Sequence, residues 1–426
     1  MIRHGALAFG AAMLAVVPAQ AGDQTVVGAG NARAEQIGAG SPLVRSAVEL
    51  LKSNAGEIED AELRTQTLDS FLNAKSCIRH RANVTDAVKD RIIAELLAQK
   101  LVNPSDAAAI TGGLKAGIFP PVNSDGEACP MLPLSFTAAP GSVFAGHHSY
   151  PGGLAVHESF NDQSSINLAA TYRGEYGSLG EHELPVAKGA QADGDVVIHR
   201  DLILAAPIWH DWAKRMVFQW NGDGTEFAEL NFGGTGSDDN FGAAGDSRTG
   251  GHHIIGVAET MARGLSPLLV ITQASAHSAP TLGNEFKVVN WLRAAAIMAQ
   301  IDPVAKGYLV KDGKGNLRLP PLAALDKGVN LVAAGQGNVL VEYQIHNLSD
   351  ADYVNSGPAV TQVQVLLQQI ASRFGYDPAD ASRYNNDFRN VVLAYLSPER
   401  LMMIYDNKGL EDLVQEVSKL RRLKLI

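Results

Sequence analysis

The chain has 426 residues, of which 46% are hydrophobic and 19% charged, a composition typical of a globular protein. Its formal net charge of −10 disfavours electrostatic binding to long nucleic acid, so no long nucleic acid partner is expected. A chain of this length has room for two or three domains or for one elaborated core.

Residues 1–21 have the features of a secretory signal peptide. Arg3 supplies the positive start, residues 6–17 form an apolar stretch, and residues 19–21 form a small-residue cleavage pattern. The apolar stretch is shorter than the ~20 residues that span a bilayer, so no membrane anchor is expected. We therefore expect a mature protein that begins at Gly22 and is secreted into a bacterial periplasm.

The chain contains two cysteines, Cys77 and Cys129. In an oxidising compartment they could form one disulfide bond. Two buried free thiols are the alternative, and the sequence leaves the choice open.

The first part of the mature chain is predicted to be helical. Residues 22–41 are rich in Gly and Ala and are expected to form a flexible lead-in, and residues 42–130 form an N-terminal helical region. The clearest helix covers residues 85–102, with Thr85 as its N-cap. Its apolar face carries Val88, Ile92, Leu96 and Leu97.

A Pro- and Gly-rich connection leads into a core at residues 131–310, followed by a mostly helical C-terminal region at residues 311–426. Two irregular stretches interrupt the core, at about 165–195 and at 231–251, and loops of this kind often contact substrate. The C-terminal region is expected to contain a hairpin turning at 311–315, an extended segment and three helices. The extended segment is 338–347, and the helices are 359–374, 385–397 and 410–423.

The most informative motif is the pair His210-Asp211 in the apolar segment 206–214. Burying an imidazole beside a carboxylate is costly unless something compensates both groups, and a bound cation commonly does so. Further candidate ligands occur on both sides, in the order His157, His210-Asp211, His252, His277 and Asp302. The ordered set predicts a metal site.

With this ligand order and the segment HHSYPGGLAVHESF at 147–160, the chain resembles the HD-domain metal-dependent phosphohydrolase superfamily. The resemblance covers roughly residues 145–310. It is closest to the HD domains of certain bacterial 3′-to-5′ exoribonucleases, in which a paired histidine, Gly-Gly-Leu and a ligand histidine recur. It implies a mainly α fold, with an HD-type helical bundle core, flanking helical regions and a minor β-hairpin.

The resemblance also implies a two-metal centre. His157, His210, Asp211 and Asp302 would hold one ion, and Asp211 would bridge to a second ion held by His252 and His277. His252 is preferred to its neighbour His253 because it precedes Gly256 by four positions, as in the family pattern. A mixed nitrogen and oxygen ligand set suits two divalent ions of Mn, Fe, Co, Ni or Zn.

Four residues are expected to contact substrate. Lys214 follows His210 by four residues, one helical turn along the same face, and would bind a phosphate oxygen or stabilise the transition state. His147, His148 and Arg248 could also approach the substrate.

The expected function is hydrolysis of a small phosphorylated compound, as a phosphohydrolase or phosphodiesterase that uses a metal-activated hydroxide. Two alternatives stay open. Some HD-type proteins with a similar ligand set are mixed-valence di-iron oxygenases, and a secreted protein could also carry a structural or degenerate metal site. The oligomeric state is not predicted.

Overall fold

The computed structural model describes residues 26–226, 228–233, 247–281, 283–322 and 338–426. The predicted signal peptide and most of the stretch 231–251 lie outside these residues. The described chain is mainly α-helical with two short antiparallel strand pairs, so the predicted fold class is confirmed. None of the described helices is both long and apolar enough to cross a membrane.

The helices are described in chain order. Those of the first half are α1 (Asn31–Gly40), α2 (Pro42–Ala55), α3 (Ala61–Leu72), α4 (Asp86–Ala98), α5 (Gly113–Ile118), α6 (Gly153–Tyr176), α7 (Arg200–His210) and α8 (Lys214–Val217). Those of the second half are α9 (Gly251–Ala262), α10 (Pro267–Ala274), α11 (Glu285–Ala299), α12 (Val341–Ser349), α13 (Tyr353–Ile370), α14 (Ala381–Tyr384), α15 (Asn390–Leu396), α16 (Pro398–Lys408) and α17 (Leu410–Arg422).

The strands are short. β1 (Asn231–Phe232) pairs with β2 (Thr249–Gly250), and β3 (Val310–Lys311) pairs with β4 (Leu317–Arg318). The second pair is the predicted hairpin. The first pair brings both ends of the predicted irregular stretch 231–251 together, directly before α9.

In the N-terminal region, one prediction is wrong, one open choice is decided and one predicted helix is present. The predicted flexible lead-in is wrong over α1, because Glu35 of this helix accepts hydrogen bonds from Ser135 and so ties the helix to the core. A disulfide bond joins Cys77 to Cys129, which settles the open choice. The helix predicted from Thr85 is present, with Thr85 at the N-cap position.

Two segments of the chain were assigned to the wrong class. The predicted irregular stretch 165–195 is helical up to Tyr176, because α6 runs for 24 residues through the core. The predicted extended segment 338–347 contains the start of α12, although Val, Tyr and Ile favour strands. Packing of α12 against α6, α7 and α10 outweighs that local preference.

One hydrophobic core draws residues from all three predicted regions, from Ala34 to Tyr343. At its centre, α6 packs against α2, α7 and α12, and α9 packs against α11. A second cluster is built mainly by α13, α15, α16 and α17 and includes Tyr150, which precedes α6. The helices α6, α7, α9 and α12 carry the residues described next.

Candidate metal centre

A tight turn at Gly152 and Gly153 places the paired histidines beside α6. Gly152 has φ +84°, and a Cβ on Gly153 would lie 1.8 Å from the carbonyl oxygen of His148, so only glycine fits there. The chain therefore folds back on itself, and the rings of His147 and His148 lie 5.0 and 5.6 Å from the ring of His157.

The pair His210-Asp211 lies where α7 ends. His210 is the last residue of the helix and Asp211 is its C-cap, and both are completely buried. Lys214 begins a separate short helix, so the prediction that it continues the same helical face is wrong. Its ammonium nevertheless contacts Oδ2 of Asp211, because the intervening turn carries it back.

Asp350 occupies the ligand position that was predicted for Asp302. Asp350 is the C-cap of α12, and its Oδ1 atom lies 3.1 Å from Nε2 of His157 and 3.3 Å from Nε2 of His210. Asp302 is exposed and accepts hydrogen bonds from the backbone of Val304 and Ala305. The assignment of Asp302 is therefore corrected: it caps a local turn and lines a different cavity.

Four donor atoms form the first half of the cluster, from His157, His210, Asp211 and Asp350. Oδ2 of Asp211 lies 3.2 Å from Nε2 of His157 and 3.4 Å from Nε2 of His210. Two ligands about 2.1 Å from one ion, at angles of about 90 to 110°, are separated by about 3.0 to 3.4 Å. The observed separations fit ligands of a single cation.

Asp211 also faces a second group of donors. Its other oxygen, Oδ1, lies 3.2 Å from Nε2 of His252, and a ligand atom of His277 lies within 4.8 Å of both residues. His277 is exposed where it faces the cavity. Oδ2 of Asp211 thus faces His157 and His210 and Oδ1 faces His252, while His277 also lies within 4.8 Å of donor atoms of His210 and Asp350.

In each candidate ligand histidine, Nδ1 lies beside a group that can accept a hydrogen bond. His157 Nδ1 lies 2.9 Å from Asp352, His210 Nδ1 lies 2.9 Å from the carbonyl of Pro207, His252 Nδ1 lies 2.6 Å from Glu229, and His277 Nδ1 lies 2.7 Å from the hydroxyl of Thr249. A proton on Nδ1 leaves the lone pair of Nε2 free, which is how most metal-ligating histidines are held.

The electrostatics of the cluster favour a cation. Burial alone would raise the pKa of Asp211 and of Asp350, but His210 and other basic groups hold both well below their usual range. Conversely, burial would lower the pKa of His157 and of His210, but the neighbouring carboxylates raise both. The carboxylates thus draw protons onto these imidazoles, and a bound cation would replace those protons.

Hydrogen-bond geometry provides a separate test of the fit. Nε2 of His210, Nε2 of His252 and both carboxylate oxygens of Asp211 are buried without a well-directed hydrogen bond, although Oδ2 of Asp211 contacts Lys214 as an ion pair. Buried polar groups without partners are costly, so a native protein normally satisfies them. These buried groups of His, Asp and Glu could hold a metal ion, and the donor set fits one.

The cluster opens into a cavity of about 630 Å³. Of the four predicted substrate contacts, Lys214, His147 and Arg248 line it, and Arg248 also forms an ion pair with Asp106 at 2.9 Å. The fourth, His148, does not line the cavity. It lies behind His157, where its ring bonds to Asp352, so its assignment as a substrate contact is wrong.

Several residues around the cluster were not predicted from the sequence. They include Asp350, Asp352, Glu229 and His346. His346 lies one turn before Asp350 on α12, and its ring is 5.2 Å from that of His210. Its Nδ1 bonds to the carbonyl of Thr272, and its Nε2 has no hydrogen-bond partner. The spacing of His346 and Asp350 on one helical face was the available signal.

Comparisons with known proteins give no relative. No family model, curated protein or solved structure matches the chain.

Proposed function

We propose that this protein is a phosphohydrolase or phosphodiesterase with two divalent transition-metal ions. The observation that carries the proposal is the placement of Asp211, whose Oδ2 faces His157 and His210 while its Oδ1 faces His252. A carboxylate whose two oxygens face different histidines is suited to bridge a dinuclear centre.

The bound metals would supply a nucleophile at neutral pH and neutralise charge on a phosphoryl group. They would be held on one side by His157, His210 and Asp350 and on the other by His252 and His277, with Asp211 between them. Nitrogen and oxygen donors without thiolates suit Mn, Fe, Co, Ni or Zn.

Lys214 would act on the substrate. Burial would lower its pKa, but Asp211 beside it raises that pKa, so the ammonium keeps its charge. It lies in the wall of the cavity next to the candidate ligands. A fixed cation there can bind a phosphate oxygen and stabilise the charge that develops in the transition state. Arg248 and His147 are placed to contact the rest of the substrate.

The substrate we propose is a small phosphoester. The cavity of about 630 Å³ suits a metabolite rather than a long polymer, and a net charge of −10 opposes binding to long nucleic acid. Secretion into an oxidising compartment is part of the same proposal. The disulfide between Cys77 and Cys129 supports it, because such bonds persist mainly outside the cytosol.

The test is elemental analysis of the purified protein, followed by a panel of phosphomonoesters and phosphodiesters assayed with the metals found. We expect about two metal equivalents and hydrolysis of at least one phosphoester class. A metal-loaded protein that consumes oxygen with bound iron would instead identify an oxygenase. A loaded protein inert in both assays would identify a structural site.

A further inference from the structure

A chain of buried hydrogen bonds leads away from the cluster behind His157. Nδ1 of His157 lies 2.9 Å from Oδ1 of Asp352, and Oδ2 of Asp352 lies 2.7 Å from Nε2 of His148. Nδ1 of His148 lies 3.1 Å from the hydroxyl of Tyr150. His157, His148 and Tyr150 are at most 3% exposed and Asp352 is 8% exposed, so these bonds are largely shielded from water.

One tautomer of His148 satisfies every group in this chain. Burial, aided by Glu399 and Asp352, raises the pKa of Tyr150 well above its usual value, so its hydroxyl keeps its proton and can donate to Nδ1 of His148. In that tautomer the Nε2–H of His148 donates to Asp352. Asp352, as a carboxylate, accepts from both imidazoles, so His157 is protonated on Nδ1.

Two features hold His148 in place. Its backbone has φ +48°, an uncommon conformation for a residue other than glycine. The hydroxyl of Ser356 accepts a hydrogen bond from the His148 backbone N–H and donates one to Glu399. Since Glu399 is thereby engaged and lies 3.7 Å from Nδ1 of His148, Tyr150 remains the hydrogen-bond partner of that nitrogen. Strain at a buried residue persists only where the surroundings determine it.

We propose that Tyr150, His148 and Asp352 form a positioning relay that fixes the tautomer and orientation of His157 and thereby sets the affinity of its metal site. The inference rests on the metal centre of the proposed function, but not on the reaction catalysed there. Hydrogen-bond partners of a ligand histidine typically affect metal affinity by 10- to 100-fold. Here the tyrosine hydroxyl acts on the ligand histidine through a second histidine and an aspartate.

The test is titration of the metal-free protein with Co²⁺, followed by visible absorption and by competition with a chelator. The metal equivalent lost in His157→Ala identifies the site of interest. Asp352→Asn should raise the Kd of that site by about 10- to 100-fold, because an amide cannot accept from both imidazoles. Tyr150→Phe, which removes one oxygen and keeps the ring, should raise the same Kd severalfold and alter the Co²⁺ spectrum.

Tyr384→Phe is the matched control, because that hydroxyl is buried without a hydrogen-bond partner. It should leave the Kd unchanged. Thermal unfolding of each metal-free variant separates lost affinity from lost folding. Unchanged Kd values in both Asp352→Asn and Tyr150→Phe would overturn the relay. A wild-type protein that binds no Co²⁺ would overturn it together with the metal centre, whereas one that binds Co²⁺ but hydrolyses no phosphoester would contradict only the proposed reaction.

Discussion

Nε2 of His157 lies 3.1 Å from Oδ1 of Asp350, although α6 and α12 are far apart in the sequence. This contact closes the first half of the candidate metal centre and replaces the one expected from Asp302. Metal binding by variants of Asp350 and Asp302 can therefore be compared directly.

Asp350→Asn should lower the affinity for one metal equivalent by ~10²-fold or more, because it removes a ligand charge rather than a ligand's partner. Asp302→Asn is the control and should bind metal like the wild type, since Asp302 caps a local turn. Metal content after dialysis against a weak chelator measures both. Retention of both equivalents by Asp350→Asn would contradict its assignment.

The proposed two-metal centre predicts that Asp211→Ala abolishes binding of both metals, because each half of the candidate cluster faces one oxygen of this carboxylate. The change also leaves Lys214 buried without its partner, at a cost of about 3 to 5 kcal/mol in the free energy of unfolding. The double variant Asp211→Ala/Lys214→Met should recover stability but not metal. Elemental analysis and thermal unfolding measure the two effects separately, and a double variant that still holds two metals would exclude the bridging role.

Lys214→Met should leave the metal content unchanged and lower kcat by about 10²- to 10³-fold on any phosphoester the protein hydrolyses. The metal content should not change because Lys214 forms an ion pair with Asp211 but is not a candidate ligand. Turnover should fall because its ammonium lines the cavity. Steady-state kinetics of the metal-loaded variant test this. Turnover equal to that of the wild type would remove Lys214 from the mechanism.

Most of the candidate ligands could be predicted from the sequence, because they lie in short motifs with apolar surroundings. These are His157, His210, Asp211, His252 and His277. Asp350 could not be predicted in this way. It follows a segment rich in Val, Tyr and Ile that favours a strand, and only packing against α6 and α7 makes that segment a helix. The α1 helix was not predicted for a similar reason. Its Gly-rich sequence has low helix propensity, so the helix depends on contacts with the core.

The disulfide between Cys77 and Cys129 closes a loop of 52 residues. The chain-entropy model assigns a loop of this length about 4 kcal/mol of stabilisation. Cys77→Ser/Cys129→Ser should therefore lower the free energy of unfolding by that order. Thiol titration of the denatured, unreduced protein gives an independent check, and two titratable thiols in the wild type would show that the bond does not form.

The buried carboxyl group of Glu226 is expected to make the free energy of unfolding depend on pH. Burial raises its pKa to about 8, partly opposed by Arg389, and neither carboxylate oxygen has a hydrogen-bond partner. The folded state therefore keeps a proton that the unfolded state loses above its pKa of 4.5, so this group's contribution to stability falls as the pH rises from about 4.5 to 8. Glu226→Gln should match the wild type near pH 4 and exceed it by a few kcal/mol near pH 8. Denaturant unfolding at the two pH values measures the difference, and equal curves at pH 8 would contradict the prediction.

The location of Asp350 and Asp352 at the junction of α12 and α13 also constrains the order of assembly. A growing polypeptide that has emerged only as far as α11 already carries all four candidate ligand histidines but lacks both carboxylates of this junction. Such an intermediate could hold an ion only weakly, and tight binding would require the late helices to dock. Tight metal binding is therefore expected only after the whole chain has folded.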